Sequence, residues 1–547
     1  MALLAITLGV RLGDPTGWLG SDDAGYYSAA EHVVSGTTIH RLHHHYSRLA
    51  MILPIAASIR IFGESPFSVA LPTLLASMAC VTCVAVLGRL LLGWWEGLLA
   101  AAIVAVLPYF RVLSTTAYPD VHTCLWVTVS VTLTAWHAHA LSISGGGTRW
   151  GRLILIASGF ALGLAISAKV FAVFGGIPIA CLLLGSPHSR RTRISNGAWV
   201  LAGLTLYIAF EGAFFAWAAH DPLFNFHAHV QAGSIETPTT SVGHEGEGFA
   251  AQLWDRIAMM LHPGLSGWGT MGVLFWPALL AAGICGGRVR WLAVWAAAAY
   301  LGVALMPVDS GNGLRINPLF HGRHVLGACV PFALCLGWAA PAIFRLATTR
   351  AVGAGFGLSL VGVFAVGIAD RRDLNGFRDR ETSRIAATVV ELVRDTRWAA
   401  DRPVYMTPST FWRFRILFPP ELRDRLRVAT ADEAPDWWKT TTPDIAERRH
   451  PLPPPDQAYL LATPRQVAGD TEYWDYGVGL PREQLTDWAD TAVVGRDTGR
   501  AAPLDCATSH DVSRRILLLS QASRVGVSAS NTPRKRIAEG PATPRED

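Results

Sequence analysis

The chain contains 547 residues, of which 51% are hydrophobic and only 16% are charged, and its mean hydropathy is +0.31. Soluble proteins carry about 25% charged residues, so this composition excludes a purely soluble enzyme, and it also excludes disorder over most of the chain. The net charge of +5 is too small to indicate a nucleic-acid partner.

Acidic residues are distributed unevenly along the chain. Of the 41 Asp and Glu residues, 14 fall in residues 1–369 and 27 in residues 370–547. This contrast predicts a transmembrane domain over residues 1–369 and a soluble α/β domain over residues 370–520. The Ser-, Thr-, Pro- and Arg-rich segment 521–547 is predicted to be a disordered tail.

Apolar runs of bilayer-spanning or nearly spanning length follow one another through the first domain. Met1–Leu12 is too short for a full span, yet a crossing is needed before Asp22, so we expect an abbreviated first helix, as a start codon assigned too far downstream would produce. Leu49–Phe62 is expected to be an interfacial helix. With the first helix, about 11 spans are predicted, the others near 66–92, 95–110, 121–141, 153–168, 170–185, 197–219, 266–285, 291–307, 324–344 and 351–368.

Basic residues fall in every second connecting loop, as the positive-inside rule requires of cytoplasmic loops. The alternate loops hold nearly all the acids and are therefore predicted to be extracytoplasmic. With that parity, the domain after residue 369 also lies outside. The basic loops contain Arg149, Arg152, Arg190, Arg191, Arg193, Arg288, Arg290, Arg345 and Arg350.

The C-terminal part has the pattern of a small mixed domain. Apolar residues at helical spacing predict an amphipathic helix over 381–398. Short apolar runs predict strands at Val404–Thr407, Ala458–Ala462 and Leu517–Ser520.

Two adjacent carboxylates, Asp22 and Asp23, lie just beyond the first helix, at the outer membrane face. A carboxylate there can act as a general base on an acceptor hydroxyl, or can hold a divalent cation against a phosphate. Solvated loop acids or an N-cap of the following helix are the structural alternatives.

Further motifs in constant order resemble the GT-C superfamily of integral-membrane glycosyltransferases, especially its protein O-mannosyltransferase-like and aminoarabinose-transferase-like branch. Asp22-Asp23-Ala-Gly-Tyr26-Tyr is similar to the family's Asp-Glu-x-x-Tyr motif, with Asp in place of Glu. His324 stands where the family has Tyr. The other matching segments are Arg11-Leu12, Ile61–Ser65, Pro108–Asp120, Gly159–Lys169 and His321–Pro331.

The resemblance implies an all-α polytopic fold and a polyprenyl-phosphate-linked sugar as donor. Asp22 would be the base of an inverting displacement, with Asp23 supporting it or binding a cation. Asp120 would orient the acceptor or bind a cation, and Lys169 and Arg323 would together bind the donor's phosphate. Tyr26 and His324 are further candidate substrate-binding residues.

Structural roles stay open for several of these residues. Lys169 and Arg323 can snorkel to the interface, and Asp120 can stabilise a helix start. Glu211, inside an apolar helix, is expected to make a structural hydrogen bond. No cofactor is predicted with certainty, and a divalent metal held by outer histidines and aspartates remains an alternative.

The sequence thus predicts a multi-pass protein of the bacterial inner membrane, with its active site on the extracytoplasmic face. Its partners would be the lipid-linked sugar donor, membrane lipid, and a protein, lipid or glycan acceptor, with no nucleic acid. The rival interpretations are a transporter or lipid flippase without catalysis and a non-catalytic membrane scaffold. A transporter should show inverted repeats, and none is evident in the sequence.

Overall fold

The computed structural model describes most of the helical part of the chain and a smaller share of the C-terminal part. It describes residues 2–13, 15–39, 43–144, 149–186, 189–235, 254, 272–285, 289–304, 307–309, 314–316, 326–346, 403–406, 408–429, 449–450, 459–462, 493–494, 501–502 and 517–519.

Helices dominate the described residues up to 346. Short 3-10 helices at Val170–Gly175 and Leu326–Ala328 precede α10 and α15, and a two-stranded hairpin of β1 (Pro307–Asp309) and β2 (Leu314–Ile316) follows α14. The helices are α1 (Ala2–Gly13), α2 (Asp22–Ser35), α3 (His44–Ser47), α4 (Leu49–Phe62), α5 (Pro66–Leu91), α6 (Trp94–Val106), α7 (Pro108–Leu113), α8 (Pro119–Ser144), α9 (Arg149–Ala168), α10 (Gly176–Leu184), α11 (Arg190–Ala218), α12 (Phe224–Ile235), α13 (Gly272–Cys285), α14 (Arg290–Ala304) and α15 (Cys329–Leu346).

These helices confirm the predicted all-α polytopic character. Among the described residues, α5, α9 and α11 are long and apolar enough to cross a membrane. The predicted break between two spans at Lys169 is confirmed, because that residue has an extended backbone between α9 and the 3-10 helix. The short first helix and the helix at Leu49–Phe62 are also present. The predicted span at 351–368 lies outside the described residues, and the total of about 11 spans stays a prediction.

Two hydrophobic clusters organise the helical part. The larger one joins the bundle helices α5, α6, α8, α9, α14 and α15. The smaller one, which we call the outer cluster, gathers α2, α4 and the C-terminal end of α11, together with Phe224 and Ala228 of α12 and Ile416. The described residues between 18 and 64, which we call the first outer segment, therefore pack against the C-terminal end of α11.

The described C-terminal residues include a seven-stranded sheet. Its order is β5-β4-β3-β6-β9-β7-β8, with β3, β4, β5 and β6 parallel and the other pairings antiparallel. Strands β3, β6 and β9 confirm the three predicted strands, whereas the predicted helix at 381–398 and the tail lie outside the described residues. The strands are β3 (Val404–Met406), β4 (Leu426–Ala429), β5 (Arg449–His450), β6 (Tyr459–Ala462), β7 (Val493–Val494), β8 (Ala501–Ala502) and β9 (Leu517–Leu519).

Residues 408–423, between β3 and β4, dock onto the first outer segment. They form helix α16 (Pro408–Phe414), a 3-10 turn and helix α17 (Pro420–Arg423). Arg415 donates to the carboxylate of Glu31, and Arg423 donates to that of Glu64. The indole Nε1 of Trp18 donates to the carbonyl oxygen of Arg413 at 2.7 Å. The docked segment therefore lies on the same side of the bundle as Asp22.

Glycine allows α9 and α11 to approach each other at backbone distance. A Cβ on Gly203 would lie 1.9 Å from the carbonyl oxygen of Ile156. Close backbone approach at small residues is the usual way in which helices associate in lipid, where apolar burial supplies no driving force between them.

We expect Gly203→Ala to lower the free energy of unfolding by about 1–3 kcal/mol, because the new methyl group overpacks this contact. Gly197→Ala, in the same helix, is the matched control, since a Cβ there meets nothing within 4 Å. Alanine should be neutral or stabilising at that position because it is the better helix former. Thermal unfolding of both variants in one detergent measures the difference, and equal midpoints would contradict the close contact.

Candidate active site

Asp22 is the first residue of helix α2. Its side chain is 25% exposed, and its Oδ1 lies 3.8 Å from Nε2 of His45. The helix dipole favours a carboxylate in the first turn, so the ionised form of Asp22 is stabilised at this position. Asp22 is therefore a partly exposed carboxylate at the start of α2, and its role as the base stays a prediction.

Asp23 has a different environment although it is the next residue. It is fully buried, and its carboxylate accepts the backbone N–H groups of Leu19 (2.7 Å), Ser21 (2.7 Å) and Ala24 (3.0 Å). Burial raises the pKa of the Asp23 carboxyl to about 6, against the opposing effect of the three N–H donors. Because both oxygens are engaged by the backbone, the geometry favours a supporting role for Asp23 over cation binding.

Gly25, Tyr26 and the segment 43–48 surround the start of α2. The ring of His45 packs on Gly25 so closely that a Cβ there would lie 2.3 Å from its Nδ1. Tyr26 is fully buried, meets His45 edge-on with ring centroids 5.0 Å apart, and accepts a hydrogen bond from Arg48. Tyr26 thus forms part of the wall beside Asp22, and its contact with substrate stays a prediction.

Three consecutive histidines lie in this wall, at the start of α3. The ring centroids of His43, His44 and His45 are 4.2–4.5 Å apart. Burial is the main cause that lowers the pKa of His44 well below its usual value, and the neighbouring His45 and Arg48 lower it further. His44 is therefore neutral at physiological pH.

Asp120 and Lys169 form a buried ion pair. Asp120 lies in the first turn of α8, and Lys169 follows the last residue of α9. The two residues therefore meet where the N-terminal end of α8 approaches the C-terminal end of α9. The Lys169 Nζ is 2.5 Å from the Asp120 Oδ1, and the two side chains are only 10% and 3% exposed. The sequence analysis predicted separate roles for these residues, whereas the structure pairs them. The Lys169 side chain is buried in this pair and does not extend to the interface as a snorkelling lysine would.

A small cavity lies beside this pair. Asp120, Thr123 and Lys169 supply its polar wall, and Phe174 and Trp295 are among its apolar lining residues. Asp22 is not among the described residues that line it. Arg323 and His324 lie outside the described residues, so the binding of one phosphate by Lys169 and Arg323 together stays a prediction.

Glu211 makes the predicted structural hydrogen bonds. It accepts from the hydroxyl of Tyr207 at 2.9 Å and from Nδ2 of Asn225 at 3.0 Å. This network joins α11 to α12, so Glu211 belongs to the scaffold.

Arg48 and Arg415 were not predicted from the sequence as site residues. Arg48 supports Tyr26, and Arg415 reaches the first outer segment from far along the chain, lying 4.8 Å over the ring of Tyr27. Arg11 is buried in the bundle, where it donates to Ser77 Oγ at 3.1 Å and to the carbonyl oxygen of Ala105 at 3.2 Å. The sequence had indicated Arg11 only as part of the Arg11-Leu12 segment, whereas no local pattern links residue 415 to residue 31.

The molecule is thus a helical membrane protein with polar groups gathered at one end of its bundle. Residues 50–214 match the family model of the dolichyl-phosphate-mannose-protein mannosyltransferases. No curated protein sequence matches the chain.

Solved structures of similar fold cover nearly the whole chain. ArnT from Cupriavidus metallidurans in the apo state is 14% identical with a TM-score of 0.51, over 95% of this chain and 98% of ArnT. The same protein bound to undecaprenyl phosphate gives 14% identity and a TM-score of 0.51, over 95% and 99%. An apo oligosaccharyltransferase from Archaeoglobus fulgidus is 10% identical with a TM-score of 0.48, over 94% and 75%. The fold shared with ArnT, and the family match over residues 50–214, both agree with the GT-C resemblance seen in the sequence.

Proposed function

We propose that the protein transfers a sugar from a polyprenyl-phosphate donor to an extracytoplasmic acceptor, with inversion at the anomeric carbon. The acceptor would be a protein, lipid or glycan, and the sugar a hexose or a pentose. Binding of undecaprenyl phosphate by ArnT, which has a similar fold, supports a donor of this lipid class.

In this reaction Asp22 takes the proton of the acceptor hydroxyl as the acceptor oxygen bonds to the anomeric carbon. The bond between that carbon and the phosphate oxygen breaks, and its electron pair leaves with the polyprenyl phosphate. A general base must be reachable and ionised, and the partial exposure of Asp22 and its position in the first turn of α2 support this role.

The contrast between Asp22 and Asp23 is the observation that supports this assignment most directly. Three backbone N–H groups fix Asp23, and with it the turn from Leu19 to Ala24, whereas the Asp22 carboxylate remains accessible. A preorganised turn that presents one carboxylate is what base catalysis requires, because it removes the reorganisation of the base from the barrier.

The leaving phosphate needs positive charge, and the proposal assigns this role to Lys169, which lines a cavity beside Asp120. In the proposed complex the donor phosphate would compete with Asp120 for the ammonium group. Asp120 would then hold the lysine in place between turnovers and balance its buried charge.

The lipid tail of the donor needs an apolar path to this end of the bundle. A groove opens between α1, the turn before α2 and α5, lined by Leu12, Trp18, Phe67, Leu74 and Ala117 among others. Trp18 lies four residues before Asp22, so a lipid in this groove would bring its phosphate towards the candidate base.

A transfer assay tests the proposal. Purified protein is incubated with radiolabelled undecaprenyl-phosphate mannose, glucose or arabinose, with membranes from cells that lack the protein as acceptor source. Label should pass from one of these donors to the acceptor fraction, with release of undecaprenyl phosphate, and heat-inactivated protein is the control. Transfer from a nucleotide sugar in place of every lipid-linked donor would contradict the proposal.

We also propose that the site faces the extracytoplasmic side of a bacterial inner membrane, which the parity of the basic loops supports. The docked segment gives a direct way to measure this, because it lies on the same side as Asp22. Asp424, which follows α17, is exposed.

A cysteine at Asp424 should react with a membrane-impermeant maleimide added to intact cells. Ser189→Cys, at an exposed position beside the basic start of α11, should react only after lysis. The parent protein, labelled in parallel, gives the background of its eight cysteines. The reverse labelling pattern would overturn the topology and the placement of Asp22.

A further inference from the structure

We infer that His43, His44 and His45 form a binding site for a divalent transition-metal ion of the zinc class, in the first outer segment beside Asp22. The inference concerns metal binding alone and does not depend on the proposed transfer reaction. Among the residues that the structure describes, these three form the one group of His, Cys, Asp and Glu side chains placed to hold an ion together.

The spacing of the ring nitrogens suits one small ion. One nitrogen from each histidine lies within 4.8 Å of the nitrogens chosen on the other two. Tetrahedral zinc, with Zn–N bonds of about 2.0–2.1 Å, places its nitrogen ligands about 3.3 Å apart. The three nitrogens must therefore move closer together on binding, and ring rotation would supply this movement.

The rings are already oriented by their surroundings. His45 is held between Gly25 and the edge of Tyr26. The Nδ1 of His43 accepts the backbone N–H of His45 at 3.3 Å, a long hydrogen bond that the ion can replace at small cost. His43 and His44 are half-buried, and His45 is buried.

The chemistry of the donors selects the class of ion. Imidazole nitrogen suits zinc, cobalt, nickel and copper, whereas magnesium and calcium prefer carboxylate and carbonyl oxygen. Three histidines leave one position of a tetrahedral ion open, as in zinc sites that also bind water or a substrate. The Asp22 Oδ1, 3.8 Å from His45 Nε2, lies close enough to sense the charge of a bound ion.

Metal titration of the full chain tests the site. The protein is purified in detergent through a tag without histidine, stripped with a chelator, and titrated with Co²⁺, whose visible absorption reports nitrogen ligation. We expect one high-affinity Co²⁺ per chain, displaced by Zn²⁺ and not by a large excess of Mg²⁺.

Each of His43→Ala, His44→Ala and His45→Ala should raise the Kd for Co²⁺ by more than about 100-fold, because loss of a residue that only supports a ligand already weakens binding about 10–100-fold. His227→Ala is the control: this histidine is exposed in α12, paired with Asp221, and its loss should leave the Kd unchanged. Gly25→Ala should weaken binding as well, because the added methyl group displaces His45.

Two results would overturn the site. One is wild-type protein that binds Co²⁺ no better than a His43→Ala/His44→Ala double variant. The other is an equal loss in the His227→Ala control, which would indicate scattered binding to surface histidines. His43 and His44 lie at the rim, so His43→Gln and His44→Gln provide variants that keep the fold if His45→Ala unfolds. Unfolding midpoints of the metal-free variants verify this.

Discussion

Asp22→Asn should lower the transfer rate by about 10²–10⁴-fold, the range expected when a general base is lost. Asparagine has nearly the shape of aspartate, so the start of α2 keeps its geometry while the proton acceptor disappears. The unfolding midpoint should change little, because the Asp22 side chain is partly exposed and the turn before α2 is fixed by Asp23. This variant should therefore lose transfer rate while it keeps its unfolding midpoint.

Two variants make this result specific. Asp221→Asn removes another outer carboxylate before a helix, one that binds His227 at 2.7 Å, and should leave the transfer rate unchanged. Asp23→Asn should lower both the midpoint and the rate, because an amide cannot accept all three N–H groups and the turn loses its support. Near-normal transfer by Asp22→Asn in folded protein would eliminate Asp22 as the base.

The sequence was sufficient to predict the structure where one physical rule dominates. Length and hydropathy located α5, α9 and α11, because a bilayer demands long apolar helices. The break at Lys169 was visible for the same reason, since a lysine interrupts an apolar run. The position of Asp22 followed from its place just beyond the first helix, together with the order of the GT-C motifs.

The contacts within the site could not be predicted from the sequence, because they join residues that are distant in sequence. Asp120 and Lys169 are 49 residues apart, and pairing them requires knowing that the outer ends of α8 and α9 meet. Nothing local distinguishes Asp22 from Asp23, since the burial of one and the exposure of the other come from how the chain turns at Leu19 and Ser21. Docking of Arg415 on Glu31 depends on the tertiary fold in the same way.

The buried pair of Asp120 and Lys169 predicts a second large effect, on stability. Asp120→Ala should lower the free energy of unfolding by about 3–5 kcal/mol, because it leaves an uncompensated lysine charge in a site that is about nine-tenths buried. Lys169→Met should have an effect of similar size by stranding the carboxylate. The double variant Asp120→Leu/Lys169→Met should be far less destabilised than the sum, because no unpaired charge remains.

Activity distinguishes the functional role of the pair from a structural one. If Lys169 stabilises the leaving phosphate, the double variant should be folded and stable and yet transfer sugar poorly, because the cation that faces the developing charge is gone. Lys169→Arg should keep part of the rate, since the charge survives while its geometry changes. Unfolding midpoints and transfer rates measured on the same preparations give both quantities. A stable double variant with full transfer activity would reduce the pair to a structural link between α8 and α9, and the phosphate would then need another cation.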